Sequence, residues 1–279
     1  MRLISPLRFL TRSLADYIIP RWLAKHPANI SEKVSEVVVS LTSYPARIDT
    51  VWQVVECMLR QTLRPRKIIL WLSREQFPDK DSIPSRLLKY ESNLFEVRLV
   101  AGDIRSHKKY YYVSHEYADC NVLLIDDDIY YPSDMIERMW KLYREGKNVV
   151  CQYGYRIKYN ADGKLAPYKS WYVENDYYEG KDFFFGSGGG VLFRPSSLYT
   201  DLTNLTLALQ LCPTADDIWL NAMVRLANLP IIKIARSSSC VLPIRCSNNK
   251  TSLTSINVVQ GANDVQLLDV NNYYNRKVF

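Results

Sequence analysis

Two groups of carboxylates in this chain could do chemistry: Asp126, Asp127 and Asp128, and further along Asp216 and Asp217. The first group ends an apolar run, residues 122–125, of the kind that makes a buried strand. Adjacent carboxylates repel one another, and Asp is a poor strand residue. A core strand that runs into three of them needs something at its end to neutralise the charge, most simply a divalent cation. In extended chain, side chains at i and i+2 face the same way, which lets Asp126 and Asp128 converge while Asp127 points elsewhere. Carboxylate oxygens with no nearby His or Cys favour a hard ion, Mn²⁺ or Mg²⁺. The bland alternative is a solvated acidic turn. Asp216 and Asp217 open a stretch with helical spacing that runs to about Leu226, where paired acids also complement the helix dipole. A second acidic pair in a chain that already has one points instead to a two-carboxylate site.

The surrounding pattern supplies elements that can position these groups. Residues 34–41 are a β-branched run that predicts a strand, followed by a polar loop from Thr42 through Tyr44 to Arg47 and by helical spacing over 51–63. Residues 68–72 and 97–100 predict two more strands, the latter ending near Asp103, with a short helix over 85–92 between them. A helix over 132–143, a strand over 148–152, a Tyr-, Lys- and Trp-rich loop over 155–182 and a strand over 231–234 follow, and a final helix lies near 264–274. Strands alternating with helices predict a mainly parallel central sheet flanked by helices, whose ligands sit beyond the carboxyl ends of the strands. The Thr42–Arg47 loop, the segment from Ser73, Asp103 and the acidic triplet all fall at those ends. Four of the ten glycines lie between Phe183 and Phe193 (Gly186, Gly188, Gly189 and Gly190), so backbone there approaches something closely. The segment lacks the Gly-Lys-Ser/Thr ending of a phosphate-binding loop. Aromatics in the 155–182 loop serve either a packed flap or sugar stacking.

At 279 residues, with 47% hydrophobic and 23% charged side chains, the chain has ordinary globular composition. A net charge of +7 points to an anionic partner: nucleic acid, a phosphorylated small molecule or a membrane surface. Six scattered cysteines and three histidines give no zinc spacing, and free thiols in a reducing, cytoplasmic setting are expected. Residues 1–30 read as a separate amphipathic basic helix, with Leu3, Leu7, Leu10, Leu14 and Ile18 on one face, a stop at Pro20, and Arg2, Arg8, Arg12, Arg21 and Lys25 against a single acid, Asp16. Such a helix either lies on an anionic bilayer at the inner face of the cytoplasmic membrane or packs on the rest of the chain, residues 31–279. No apolar stretch is long enough to span a membrane.

Taken together, the Thr-Ser-Tyr-Pro-x-Arg loop after the leading strand, Asp126 to Asp128, a glycine-rich strand over 186–193 and Asp216 to Asn221 resemble the GT-A (Rossmann-like) glycosyltransferases with a DxD motif, over about residues 34–235. The exostosin-type catalytic domain and bacterial capsule or lipopolysaccharide glycosyltransferases are the nearest echoes. The resemblance implies transfer of a sugar from a nucleotide diphosphate donor, commonly UDP-linked, to a glycan or lipid-linked glycan acceptor, with no nucleic acid partner. In such an enzyme Asp128 and Asp126 hold the metal, and Arg47, Lys108, Lys109 and Arg245 contact phosphate. Thr42, Tyr44, Asp103 and Asp127 would line the donor site, and Gly188 and Gly189 would let the donor sugar approach the backbone. Asp217 and Asp216 would face the reacting sugar as the catalytic pair, with inverting and retaining courses both open. The rivals are a nucleotidyltransferase that makes nucleotide sugars, which usually carries a Gly-rich loop after its first strand where residues 42–47 have none, and a non-catalytic membrane-associated assembly subunit.

Overall fold

The computed structural model describes residues 6–235, 242–244, 257 and 261–279. In chain order its helices and strands are α1 (Pro6–Lys25), β1 (Val37–Thr42), α2 (Val51–Leu59), β2 (Lys67–Ser73), α3 (Ser85–Leu88), β3 (Phe95–Val100), α4 (Lys108–Glu116), β4 (Asn121–Leu124), β5 (Ile129–Tyr130), α5 (Met135–Trp140) and β6 (Val149–Cys151). They continue with β7 (Gly154–Arg156), β8 (Tyr172–Val173), β9 (Tyr178–Gly180), β10 (Phe183–Phe185), β11 (Val191–Phe193), α6 (Leu205–Leu211), α7 (Asp216–Leu226), β12 (Ile231–Lys233), β13 (Leu242–Pro243) and α8 (Ala262–Tyr273).

The fold is α/β, with a large, mainly parallel central sheet in the order β3-β2-β1-β4-β11-β6-β12-β9. β3, β2, β1 and β4 run parallel, as do β6 and β12, while β11 and β9 run antiparallel to their neighbours. Alternate side chains of one strand feed opposite cores, as the two-residue period requires. Val38, Ile69 and Val122 enter the core closed by α4, α6, α7 and α8. Val37, Val39, Ile68 and Leu70 enter the one closed by α2 and α5. Burial on both faces is why these strands read as continuous apolar runs.

Several expectations change, among them the 155–182 loop, which carries β8, β9 and part of β7. Residues 186–193 are not one glycine-rich strand: only Val191–Phe193 is strand, β11 of the central sheet, while β10 before the glycines belongs to a small antiparallel sheet, β10-β7-β8. The glycines between them form a tight turn over Ser187–Gly189, and Gly190 at φ +104° takes a backbone conformation that an L side chain rarely adopts. Helix α4 was not expected, because three consecutive tyrosines and a valine favour strand locally; Tyr110 and Val113 become helical because that spacing buries them on the sheet. The first helix does not stop at Pro20 but runs on to Lys25. There Arg21 donates from its side chain to the Tyr17 carbonyl beside the break, and Leu23 and Ile19 pack on the core under α2, offsetting the cost of an internal proline, about 3 kcal/mol. Helices α2, α3 and α5 are also shorter than expected, and the expected 231–234 strand and the C-terminal helix are present.

Candidate active site

The carboxyl ends of β1, β2, β3 and β4 open into a cavity of about 610 Å³. Thr42, Tyr44, Arg47, Asp103, Lys108, Lys109, the whole acidic triplet, Asp216 and Asp217 line it. Arg245 lies outside the described residues.

The triplet divides as its alternation predicts. The Asp126 and Asp128 side chains are 36% and 25% exposed toward the cavity, whereas that of Asp127 is 6% exposed and turned inward. Ser43 Oγ donates to Asp127 Oδ2 at 2.5 Å, and Arg47 Nη1 to Asp127 Oδ1 at 2.8 Å. The same Nη1 lies 2.9 Å from Asp128 Oδ2. The loop after β1 therefore places the guanidinium of Arg47, expected as a phosphate contact, across the end of β4. Burial, then the neighbouring Asp126, pushes the Asp128 carboxyl up to about 7 despite Arg47.

Lys109, from the unexpected α4, joins the two acidic groups. Its side chain is 4% exposed, and its Nζ lies 2.6 Å from Asp126 Oδ1 and 3.1 Å from Asp216 Oδ2. Burial alone would lower the lysine's pKa, but Asp126, Asp216 and Asp217 hold it above its usual value. Asp216, buried too, is nevertheless kept below the ordinary carboxylate range by Lys109 and His107. Asp217 differs. Its Oδ1 accepts from the Ser187 amide at 2.9 Å and from the Ser187 hydroxyl, and its Oδ2 has no hydrogen-bond partner among the described residues. Burial, then the adjacent Asp216, pushes its carboxyl up to about 7. These two acids spend their side-chain bonds on α4 and on the glycine turn rather than on capping α7. Neighbouring carboxylates with such opposed environments suit an ionised structural partner and a titrating acid–base group.

Gly188 and Gly189 are not among the cavity-lining residues. A Cβ on Gly188 would overlap Asp126 Oδ2, and one on Gly189 would overlap the Cβ of Tyr153. The glycines make room for the protein's own side chains, not for a ligand. Tyr131 fixes this contact: its hydroxyl accepts from the Asp126 amide at 2.9 Å and donates to the Gly188 carbonyl. Asp103 lies at the far end, accepting from Lys108 and, at 2.7 Å, from Gln76 Nε2, so Lys108 is committed to it.

Sequence reasoning missed Ser187, Tyr131 and Asn221 as positioning residues. Asn221 accepts from the Phe185 amide at 3.0 Å and donates to its carbonyl at 2.9 Å, holding β10 on α7. The signals available were its place at the end of the Asp216–Asn221 motif and one turn after Asp217, on the same helical face.

Among the described residues, no three His, Cys, Asp or Glu side chains are grouped to hold a metal ion. Mg²⁺-type sites need fewer, since they commonly use one or two carboxylates with substrate phosphate and water completing the shell. The cavity lining carries six carboxylates, those of the triplet, Asp216, Asp217 and Asp103, against four cations, Arg47, Arg105, Lys108 and Lys109, so formal negative charge is in excess by two. Two of those carboxylates, Asp126 and Asp128, open to the cavity. That donor set fits a hard divalent cation.

No protein-family model matches the chain, and no curated protein matches it. Among solved structures it is similar to a mannosyltransferase from Pyrobaculum calidifontis in complex with GDP-Man and Mn²⁺, with a TM-score of 0.47 and 15% identity over 95% of this chain and 72% of that one. It is also similar to a 4-diphosphocytidyl-2C-methyl-D-erythritol synthase from Anaerococcus prevotii, with a TM-score of 0.38 and 13% identity over 82% of this chain and 98% of the other. A further synthase of that name gives 0.40 and 12%, over 85% and 98%. Likeness this distant carries no functional weight, so function is read from the site itself.

Proposed function

We propose that this chain is a divalent-metal-dependent glycosyltransferase of GT-A type, moving a sugar from a nucleotide diphosphate donor, UDP-linked, to a glycan or lipid-linked glycan in bacterial surface polysaccharide synthesis. The observation that carries the reading is Lys109, whose ammonium ties the triplet at the end of β4 to the acidic pair at the start of α7, making one five-carboxylate site of two distant motifs.

Asp126 and Asp128 would hold Mn²⁺ or Mg²⁺, which when bound neutralises charge on the departing diphosphate. Arg47 orients the diphosphate and keeps Asp127 and Asp128 together. Asp217 Oδ2 takes the proton of the acceptor hydroxyl as the acceptor oxygen bonds to the anomeric carbon. The bond from that carbon to the diphosphate oxygen breaks, and its electron pair leaves with the nucleotide diphosphate. Ser187 holds the other Asp217 oxygen, so Oδ2 presents one defined direction.

A screen of nucleotide sugars for Mn²⁺-dependent hydrolysis tests this reading. Release of nucleoside diphosphate from one donor is expected. Pyrophosphate formation from a nucleoside triphosphate and a sugar phosphate, with no donor cleaved, would transfer the site to nucleotidyl transfer.

The placement of α1 supports peripheral attachment to an anionic membrane. Leu23 and Ile19 face the core, while Leu14, Tyr17, Ile18 and Trp22 are 60%, 58%, 48% and 48% exposed at steps of three and four. Arg21 stacks over Tyr17 and Arg60 over Trp22, so aromatic rings and cations share that face. Leu3 lies outside the described residues, as do the side chains of Leu7 and Leu10. No described helix is long and apolar enough to cross a membrane.

A further inference from the structure

The cavity has two unlike walls. One is the charged wall of strand ends already described; the other is built from the β10-β7-β8 sheet and the segment between β7 and β8, and it presents Tyr155, Tyr168 and Phe184. Neither catalysis nor donor binding as assigned above uses this second wall.

Tyr168 is held as a platform. Its amide donates to Asp264 Oδ1 at 2.7 Å, which ties the loop to the first turn of α8. Its ring contacts Trp171 at 4.9 Å, Tyr155 at 5.6 Å and Phe184 edge-on at 5.6 Å between centroids. Tyr155 is fixed in turn, its hydroxyl 2.8 Å from that of Tyr153. Both residues are half-buried and both line the cavity. A fixed aromatic surface binds a flat apolar face without loss of side-chain freedom, and the C–H face of a sugar ring is such a face. The wall also carries amides. Asn263, at the start of α8, lines the cavity, is 6% exposed, and its Oδ1 has no hydrogen-bond partner among the described residues. A buried amide oxygen left unpaired is costly and calls for a donor. Sugar hydroxyls are donors.

Asp217 lines the same cavity as Tyr155, Tyr168 and Asn263, close enough for its charge to act on the hydroxyls of both tyrosines. We infer that the acceptor is a carbohydrate whose ring stacks on Tyr168 and Tyr155, donates a hydroxyl to Asn263 Oδ1, and turns its nucleophilic hydroxyl toward Asp217 Oδ2. This rests on the glycosyltransferase reading for the identity of the reaction, but the binding itself does not depend on it. It also separates a sugar acceptor from the other nucleophiles such a cavity could serve, a lipid phosphate or a peptide hydroxyl, for which an apolar stacking face has no use.

The test is saturation-transfer NMR on the full chain with UDP and Mn²⁺ present, titrating methyl α-D-mannopyranoside, methyl α-D-glucopyranoside, methyl β-D-galactopyranoside and methyl N-acetyl-β-D-glucosaminide. At least one glycoside is expected to receive saturation on its ring C–H protons. Tyr168→Ala should weaken its binding roughly tenfold and Asn263→Ala several fold, while Tyr168→Phe, which keeps the ring, stays within about twofold. Unchanged UDP binding by the Ala variant shows that its loss of glycoside binding is not loss of fold. No glycoside binding, or equal binding to Tyr168→Ala, overturns the inference. Donor hydrolysis separates the two readings: a chain that binds glycosides through Tyr168 but cleaves no donor refutes the glycosyltransferase assignment alone. One that cleaves donor without Tyr168-dependent glycoside binding refutes the acceptor alone.

Discussion

Gly188 and Asp126 share one space: a Cβ on the glycine would overlap Asp126 Oδ2 and stand 2.7 Å from its Cγ. The carboxylate is also held by Lys109, so it cannot swing aside without breaking that ion pair. Gly188→Ala is therefore expected to displace Asp126 and lower turnover by roughly 10²-fold, the scale of a 1 Å misplacement at a reacting centre. Steady-state assays on the purified variant check this. Turnover equal to the parent enzyme would mean that the position of Asp126 is not critical.

Lys109→Met leaves Asp126 and Asp216 without their shared cation. Removing one partner of a buried pair costs about 3–5 kcal/mol, and the low end applies because Asp126 is partly exposed. Without the lysine Asp216 loses the neighbour that holds its carboxyl below the ordinary range and binds its proton more readily in the folded chain, so the loss should be larger at pH 8 than at pH 5. Urea unfolding at the two pH values measures it, and a loss independent of pH would contradict the electrostatic account.

Asp217 is expected to be needed for transfer and not for donor binding. Asp217→Asn should keep UDP affinity within a few fold and lower turnover by roughly 10²–10⁴-fold, the range for a lost general base. The parent turnover should rise with pH through about 7, where this carboxyl ionises. The stability effect has the opposite sign. An unfolded Asp titrates near 3.9, so between about 4 and 7 the folded chain holds the extra proton and its stability falls as pH rises. The drop in melting temperature from pH 5.5 to pH 8 should shrink in Asp217→Asn, and an undiminished drop rules out this residue as its source.

Divalent metal should govern donor binding through Asp126 and Asp128. Calorimetry with UDP is expected to show at least roughly tenfold weaker binding in EDTA than in Mn²⁺, and Asp128→Asn should lose most of the difference. Equal affinity in EDTA would remove the metal from the site.

The exposed face of α1 should bind anionic bilayers. Replacing Leu14, Ile18 and Trp22 by Ser is expected to abolish co-sedimentation with vesicles containing anionic lipid and to leave the fold intact, since Leu23 and Ile19 make the inward contacts. Retained co-sedimentation of the triple variant would show that this stripe is not the contact.

The sequence by itself determined what is local and periodic. The apolar runs at 34–41, 68–72 and 122–125 hold the strands β1, β2 and β4 because both faces are buried, and the acids fall where β4 ends, so the division of Asp126 and Asp128 from Asp127 follows from the alternation of extended chain. The tertiary structure decided which charges meet. Lys109 lies 17 residues from Asp126 and 107 from Asp216, and nothing in its neighbourhood of tyrosines indicates that α4 would carry it between them. Ser187 reaches Asp217 only because the glycine segment folds into a turn and sends β11 back antiparallel between β4 and β6. The glycines themselves showed that something approaches closely, and packing alone decided that it is Asp126 and Tyr153. Such contacts depend on the order of strands in the sheet, a long-range property set by how two cores close at once and not by any local residue pattern.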